Sequence, residues 1–249
     1  MEYNARLYSY DGGQHLTFYK KTITRNGDSM KENPEKELGE TRTPGQEKHS
    51  MKTSMSRTKN RIYQISRSNR WEWFVTLTFD RTKTDASDHD AVVRKLKTFL
   101  NNTQKRKCPG MKYLIVPELH ADKKHYHFHG LLSDVDGLQF VPSGKSDESD
   151  NPVYNIAGWK LGFTTATKVK DNGKVSAYIT KYIAKDNGEG YLKGKRRYYH
   201  SKNIKVAEPE YLIIDNEEFR ETYNDRITHM KTQNVAPAHQ QITYYELKY

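Results

Sequence analysis

The chain has 249 residues, one cysteine, and 42 Lys plus Arg against 31 Asp plus Glu, for a net charge of +11 and a pI near 9.4. No apolar run reaches the roughly 20 residues that cross a bilayer, and the first thirty residues lack the order of a secretory signal, so the expectation is a soluble, intracellular protein. Cys108 alone excludes an internal disulfide and a cysteine-based zinc cage.

Hydrophobic residues make up 34% of the chain, below the roughly 45–50% of globular chains, although that benchmark counts Gly and omits Tyr. The core is therefore expected to be modest, with polar segments outside it. Eighteen tyrosines among the basic residues favour nucleic acid over a membrane as the anionic partner. The plain alternative is that the charge only maintains solubility.

In chain order, residues 1–20 read as an N-terminal hairpin: Arg6 to Tyr10 and Leu16 to Tyr19 are β-prone runs around Asp11-Gly12-Gly13. Residues 21–55 carry almost no large apolar side chain and read as a disordered polar linker. A basic helix is expected over 56–69, where Ile62 and Ile65 stand among Arg and Lys. The main domain is placed at 56–205. Its elements are a strand at Trp71–Asp80, a helix carrying Val92, Leu96, Phe99 and Leu100, strands at Tyr113–Glu118 and Tyr126–Leu132 joined by a polar turn, a surface loop at 133–153, a strand at Trp159–Thr165, and a helix at Lys174–Lys185.

Residues 165–205 hold eleven Lys or Arg against three acids, whereas 206–249 hold four against eight. The first stretch is the expected DNA-facing surface. The tail, 206–249, reads as structural, with an amphipathic helix on Phe219, Tyr223, Ile227 and Met230 and a final strand at Ile242–Tyr249, both packing on the domain. Trp159 and Phe163, on a strand, read as core residues rather than base-stacking ones.

Two constellations carry chemistry. His125, His127 and His129 alternate with aromatics, so on a strand all three imidazoles share one face. A turn centred on Asp122-Lys123 sets Glu118 opposite His127, and two imidazoles with one carboxylate can hold Mn or Mg when a substrate supplies oxygens. A different turn exchanges His125 for His129, and the bland reading is a His-rich strand with no metal. The second constellation is YITKYIAK at 178–185. On a helix Tyr178 and Tyr182 share one face, Lys181 and Lys185 another, with Val175, Ile179 and Ile183 as the apolar stripe. A phenol of pKa about 10 needs positive charge or a polarised electrophile to act as a nucleophile; ordinary packing is the alternative. Lys193, Lys195, Arg196 and Arg197 beside Tyr198 and Tyr199 pair phosphate charge with stacking surface, or else form a solvated loop.

FVTLTFD at 74–80, PELH at 117–120 followed by HYHFHGLL at 125–132, and YITKYIAK at 178–185 together resemble the HUH-family rolling-circle replication initiators of phages and plasmids, in their two-tyrosine form. The resemblance spans about 71–200. It implies an α+β, ferredoxin-like fold with a central antiparallel sheet of about five strands flanked by helices. It also implies a metal-dependent endonuclease, cytoplasmic in a bacterial host cell, that nicks single-stranded origin DNA, keeps the 5′-phosphate on tyrosine and later rejoins the strand. Glu118, His127 and His129 match the metal ligands. Tyr182 matches the tyrosine kept by one-tyrosine members and is the first choice of nucleophile. Tyr178 is the second nucleophile or a packing residue, and Lys185 binds phosphate or developing charge.

A transposase or relaxase of the same chemistry is the near rival, although relaxases place the tyrosine before the His motif. A non-catalytic single-stranded nucleic-acid-binding module is the rival from another class. A zinc deaminase lacks its Cys-x-x-Cys here. With no Gly-x-x-x-x-Gly-Lys-Ser/Thr motif, unwinding is expected to come from a host helicase, and synthesis from a host polymerase.

Overall fold

A computed structural model describes residues 1–25, 44–184, 192, 194–235 and 239–249. In chain order the elements are β1 (Glu2–Tyr10), β2 (Gly13–Thr24), α1 (Pro44–Arg67), β3 (Trp73–Leu77), α2 (His89–Arg106), β4 (Lys112–Leu119), β5 (Tyr126–Ser133), β6 (Phe140–Ser146), β7 (Pro152–Ile156), β8 (Thr164–Lys168), α3 (Asn172–Ala184), β9 (Tyr199–His200), β10 (Glu210–Leu212), α4 (Asn216–Thr222), β11 (Ile227–Val235) and β12 (Gln240–Leu247). The fold is α+β, and it divides into two compact units, Arg42–Val206 and Met1–Thr41 with Ala207–Tyr249. No helix among the described residues is long and apolar enough to cross a membrane.

In the larger unit an antiparallel sheet runs β6-β7-β8-β3-β5-β4-β9. Every position of β5 is buried, because helices cover this part of the sheet from both sides. On one face Val75, Leu77, Ile115, Phe128 and Leu132 pack with Val92, Leu96 and Leu100 of α2. On the other, Leu114, Val116 and Leu131 meet Ile62 and Ile65 of α1 and Ile179 and Tyr182 of α3. The alternation of β4 and β5 thus sends neighbouring residues into two separate cores. Phe128 is fully buried, a burial that contributes roughly 2–3 kcal/mol. Gly130 is required where it stands, since a Cβ there would overlap Ile115 Cδ1.

The helices are positioned by their ends. Asp88 caps α2, its carboxylate accepting from the backbone N–H of Asp90 and Ala91, and Asp171 accepts from the N–H of Lys174 at 2.9 Å at the start of α3; such caps each contribute ~1 kcal/mol. The α1–α3 pair is joined by a buried hydrogen bond between the hydroxyls of Ser66 and Ser176 at 2.8 Å. Asn172 accepts from the Trp71 backbone N–H and donates to Asn69 O, while the Trp71 indole donates to Ser66 O. These bonds fix the face that α3 turns to the sheet.

The smaller unit is a sheet ordered β10-β1-β2-β12-β11, with Ala5, Leu16, Tyr245 and Leu247 as its core and Phe219 and Tyr223 packed against them. The expected N-terminal hairpin is present, with Gly12 at φ +91° in its turn, where glycine carries no steric cost. The final strand β12 pairs with β2.

Several elements differ from the sequence reading. The sheet of the larger unit has seven strands rather than about five, because 133–153, expected as a surface loop, contains β6 and the start of the antiparallel β6–β7 hairpin. Its residues are mostly exposed, so the hairpin gives no alternating signal. Residues 157–163 form turns, and the strand expected at 159–165 begins only at Thr164. Residues 21–24 belong to β2 and 44–55 to α1, so ordered elements enter the stretch read as a linker from both ends; 26–43 lie outside the described residues. The amphipathic helix through Phe219, Tyr223, Ile227 and Met230 stops at Thr222, and β11 starts at Ile227.

Candidate metal and nucleophile site

The turn between β4 and β5 sets the site. The backbone N–H of His120 donates to His125 O at 2.8 Å, and Lys123 takes φ 54°. Asp122 accepts from the N–H groups of Lys124 and His125, and His125 Nδ1 lies 2.7 Å from its Oδ2. Those bonds hold the Asp122 carboxyl well below the usual carboxylate range, the His125 contact being the largest cause and the two backbone N–H groups following. His125 is thereby engaged at the turn and takes no part in the cluster deeper in the sheet.

With that turn, Glu118 pairs with His127, as the sequence predicts. Glu118 Oε2 lies 2.8 Å from His127 Nε2 and 2.7 Å from His129 Nε2, and the two Nε2 atoms are 2.7 Å apart. All three side chains are buried, and they are the group among the described residues able to hold a metal ion. The donor set fits a cation. Two imidazole nitrogens facing each other across one carboxylate oxygen share at most one proton on that edge, whereas a divalent ion satisfies all three lone pairs.

Thr76 fixes one ligand. Its hydroxyl lies 3.1 Å from His129 Nδ1, which leaves Nε2 directed at Glu118. Such a partner sets ring orientation and tautomer. The His120 imidazole sits edge-on to His127, with centroids 4.1 Å apart, and burial lowers its pKa, with the neighbouring His127 adding to the effect.

The tyrosines of α3 stand over this cluster. The Tyr182 ring stacks on the His129 imidazole at 3.6 Å between centroids, and its hydroxyl donates to the Tyr178 hydroxyl at 2.8 Å. Phe74 packs against both phenol rings. Tyr182 is only 6% exposed, Tyr178 44%. Burial pushes the Tyr182 phenol well above its ordinary value, helped by the bond to Tyr178 and the Glu118 charge.

The expected basic residues divide. Lys181 Nζ lies 5.5 Å from the Tyr178 ring centroid, beside the phenol pair. Arg197 donates to Ser54 Oγ of α1 at 2.8 Å, so it braces that helix. Lys195 and Arg196 lie near Tyr126 and Tyr199, which belong to the core on the α2 side of the sheet, away from the cluster. Lys185 and Lys193 lie outside the described residues.

Sequence reasoning missed Thr76 and Phe74 as parts of the site. The pattern WFVTLTF puts them on one face, but only the pairing of Thr76 with His129 says which partner that face meets. Phe163, read as core, is 79% exposed, whereas Trp159 is buried as expected and donates to Thr78 O at 2.9 Å.

Residues 72–187 match the family model of the replication-associated protein ORF2. Nearly all of the residues discussed for the site fall inside that stretch. The match supports a replication-associated protein that interacts with DNA. No curated protein and no solved structure matches the chain.

Proposed function

We propose that the chain is an HUH-type, two-tyrosine rolling-circle replication initiator that nicks single-stranded DNA at an origin. The reading rests on one observation: the buried Glu118–His127–His129 cluster lies directly under the Tyr182 ring, joining a metal-ligating set to a phenol pair. Glu118, His127 and His129 would hold Mn or Mg. That ion, when bound, supplies Lewis-acid polarisation of the scissile phosphate.

The residues of the chain do the rest. Tyr182 Oη attacks phosphorus and the bond from phosphorus to the 3′-oxygen breaks. The 5′-phosphate stays on tyrosine, and the departing oxygen takes up a proton as a free 3′-hydroxyl. The phenolic proton leaves toward the Tyr178 hydroxyl, which accepts from Tyr182 and is exposed to solvent. Attack by a later 3′-hydroxyl reverses the step and rejoins the strand, with Tyr178 available as a second nucleophile. Lys181, placed against Tyr178, supplies positive charge at the mouth of the site; Lys185 is assigned phosphate binding by the resemblance. The 3′-hydroxyl would prime a host polymerase, with a host helicase opening the duplex.

The test is incubation with single-stranded DNA of the cognate origin and Mn, resolved on a denaturing gel. A covalent adduct that is lost in Tyr182→Phe and on chelation is expected. An adduct lost only in Tyr178→Phe exchanges the tyrosine roles, and binding without cleavage gives a non-catalytic DNA-binding module.

A further inference from the structure

The α1 and α3 helices cover the β4–β5 part of one sheet face, and the same face stays open beyond it. Thr76 pairs with both His129 and Thr165, and its hydroxyl meets His129, so these three share the face of the metal-ligating cluster. One step along, the Thr78 N–H and hydroxyl both donate to Phe163 O at 2.9 Å. Extending the pairing of β3 with β5 sets Thr78 opposite His127, so Phe163, Thr78, His127 and Glu118 form one row across the sheet. Thr164 and Ala166 are buried toward α2, which turns Phe163 and Thr165 to the opposite, open side.

Phe163 is an exposed ring on a fixed backbone. Its carbonyl takes both Thr78 bonds, and Leu161 O accepts from the Asp80 N–H at 2.7 Å. Gly162 permits this approach, since a Cβ there would overlap Thr78 O. A large aromatic left 79% exposed on a segment held this tightly exposes its π-face without local disorder. Beyond it the open face continues over Thr165 and Asn155 to the exposed Lys145. On β8, β7 and β6 the residues of this face include no carboxylate.

We propose that Phe163 is a base-stacking platform for the single-stranded DNA engaged at the cluster, resting on the function proposed above. Two interstrand steps of ~4.8 Å separate it from the His127 strand, within reach of a base close along the chain from a phosphate at the triad. An uncharged, hydroxyl-lined face ending in lysine suits a polyanion, and stacking tolerates any base.

The experiment is fluorescence anisotropy with a labelled oligothymidylate, and with a duplex of the same length, in the presence of chelator. Phe163→Ala and Phe163→Leu are expected to weaken single-strand binding about 5- to 150-fold, Phe163→Trp to restore it, and duplex binding to stay unchanged. Unchanged melting temperatures verify folding, since the ring is exposed. Wild-type affinity in Phe163→Ala, or in Phe163→Leu, overturns the platform while leaving the nicking function standing. A concentration-dependent self-association lost in Phe163→Ala with DNA affinity intact assigns the face to a second copy of the chain and overturns it too. Failure of the wild type to bind single strands overturns both the platform and the function beneath it.

Discussion

The phenol of Tyr182 lies nearly flat on the imidazole of His129, centroids 3.6 Å apart and planes 20° apart. One contact therefore has two jobs: it packs α3 onto β5 and brings a hydroxyl-bearing ring to a metal-ligating one.

Separating those jobs is straightforward. Tyr182→Phe is expected to keep the stack and nearly all of the stability while abolishing adduct formation. Tyr182→Ala opens a cavity between α3 and the sheet and is expected to cost roughly 3 kcal/mol or more, by analogy with large aromatic truncations. Urea unfolding of the two variants, beside the adduct gel, checks this, and equal destabilisation by both would contradict it.

Thr76 reaches no substrate in this arrangement and acts through His129. Thr76→Val removes the hydroxyl 3.1 Å from Nδ1 and frees the ring to rotate. Metal affinity is expected to fall about 10- to 100-fold, read as the loss of a Mn-induced rise in melting temperature. Thr76→Ser is expected to retain it. Glu118→Gln should abolish the metal-induced rise altogether.

The β4–β5 turn should be acid-sensitive. Asp122 has its carboxyl held down in the folded state, chiefly by His125, so its folded pKa lies below the unfolded value of about 3.9. A depressed carboxylate contributes stability that is complete above the unfolded pKa and is lost as pH falls through the folded one. The wild type should therefore melt above Asp122→Asn near neutral pH, and the difference should shrink as pH falls below about 4. Melting temperatures measured across that range decide it.

Gly162→Ala is expected to destabilise by roughly 1–3 kcal/mol, because the new Cβ meets backbone atoms of Thr78, Phe79 and Asp80 rather than movable side-chain ends. Chemical denaturation measures the loss, and an unchanged midpoint would show that the 161–163 segment yields freely.

The centre of this site is legible in the sequence because its geometry is local. Glu118 and His127 are joined by a short turn, so a single assumption about that turn yields their pairing. Asp88 announces α2 by capping chemistry. What is not legible depends on distant partners. The β6–β7 hairpin is exposed on most of its length and is held by backbone pairing, with Phe140 stacked on Trp73 at 3.9 Å, a contact that no local pattern encodes. Ile227 and Met230 have helical spacing with Phe219 and Tyr223, yet their backbone pairs with Leu247 and Tyr245 of β12, and that non-local pairing overrides the period. Lys195 and Arg196 read as one patch with Arg197, but successive residues of an extended segment point to opposite sides.

The cluster sits on β5 between β3 and β4, where odd-numbered positions carry the ligands and even-numbered ones fill the α2-side core. Ligand identity is thus written in parity. A single residue inserted after Lys123 would leave Glu118 facing Tyr126 if β5 kept its place against β3, or drive Phe128 and His129 across the sheet if it did not. Natural variation in the length of this turn is therefore expected to come in pairs of residues, which preserve the alternation that single insertions destroy.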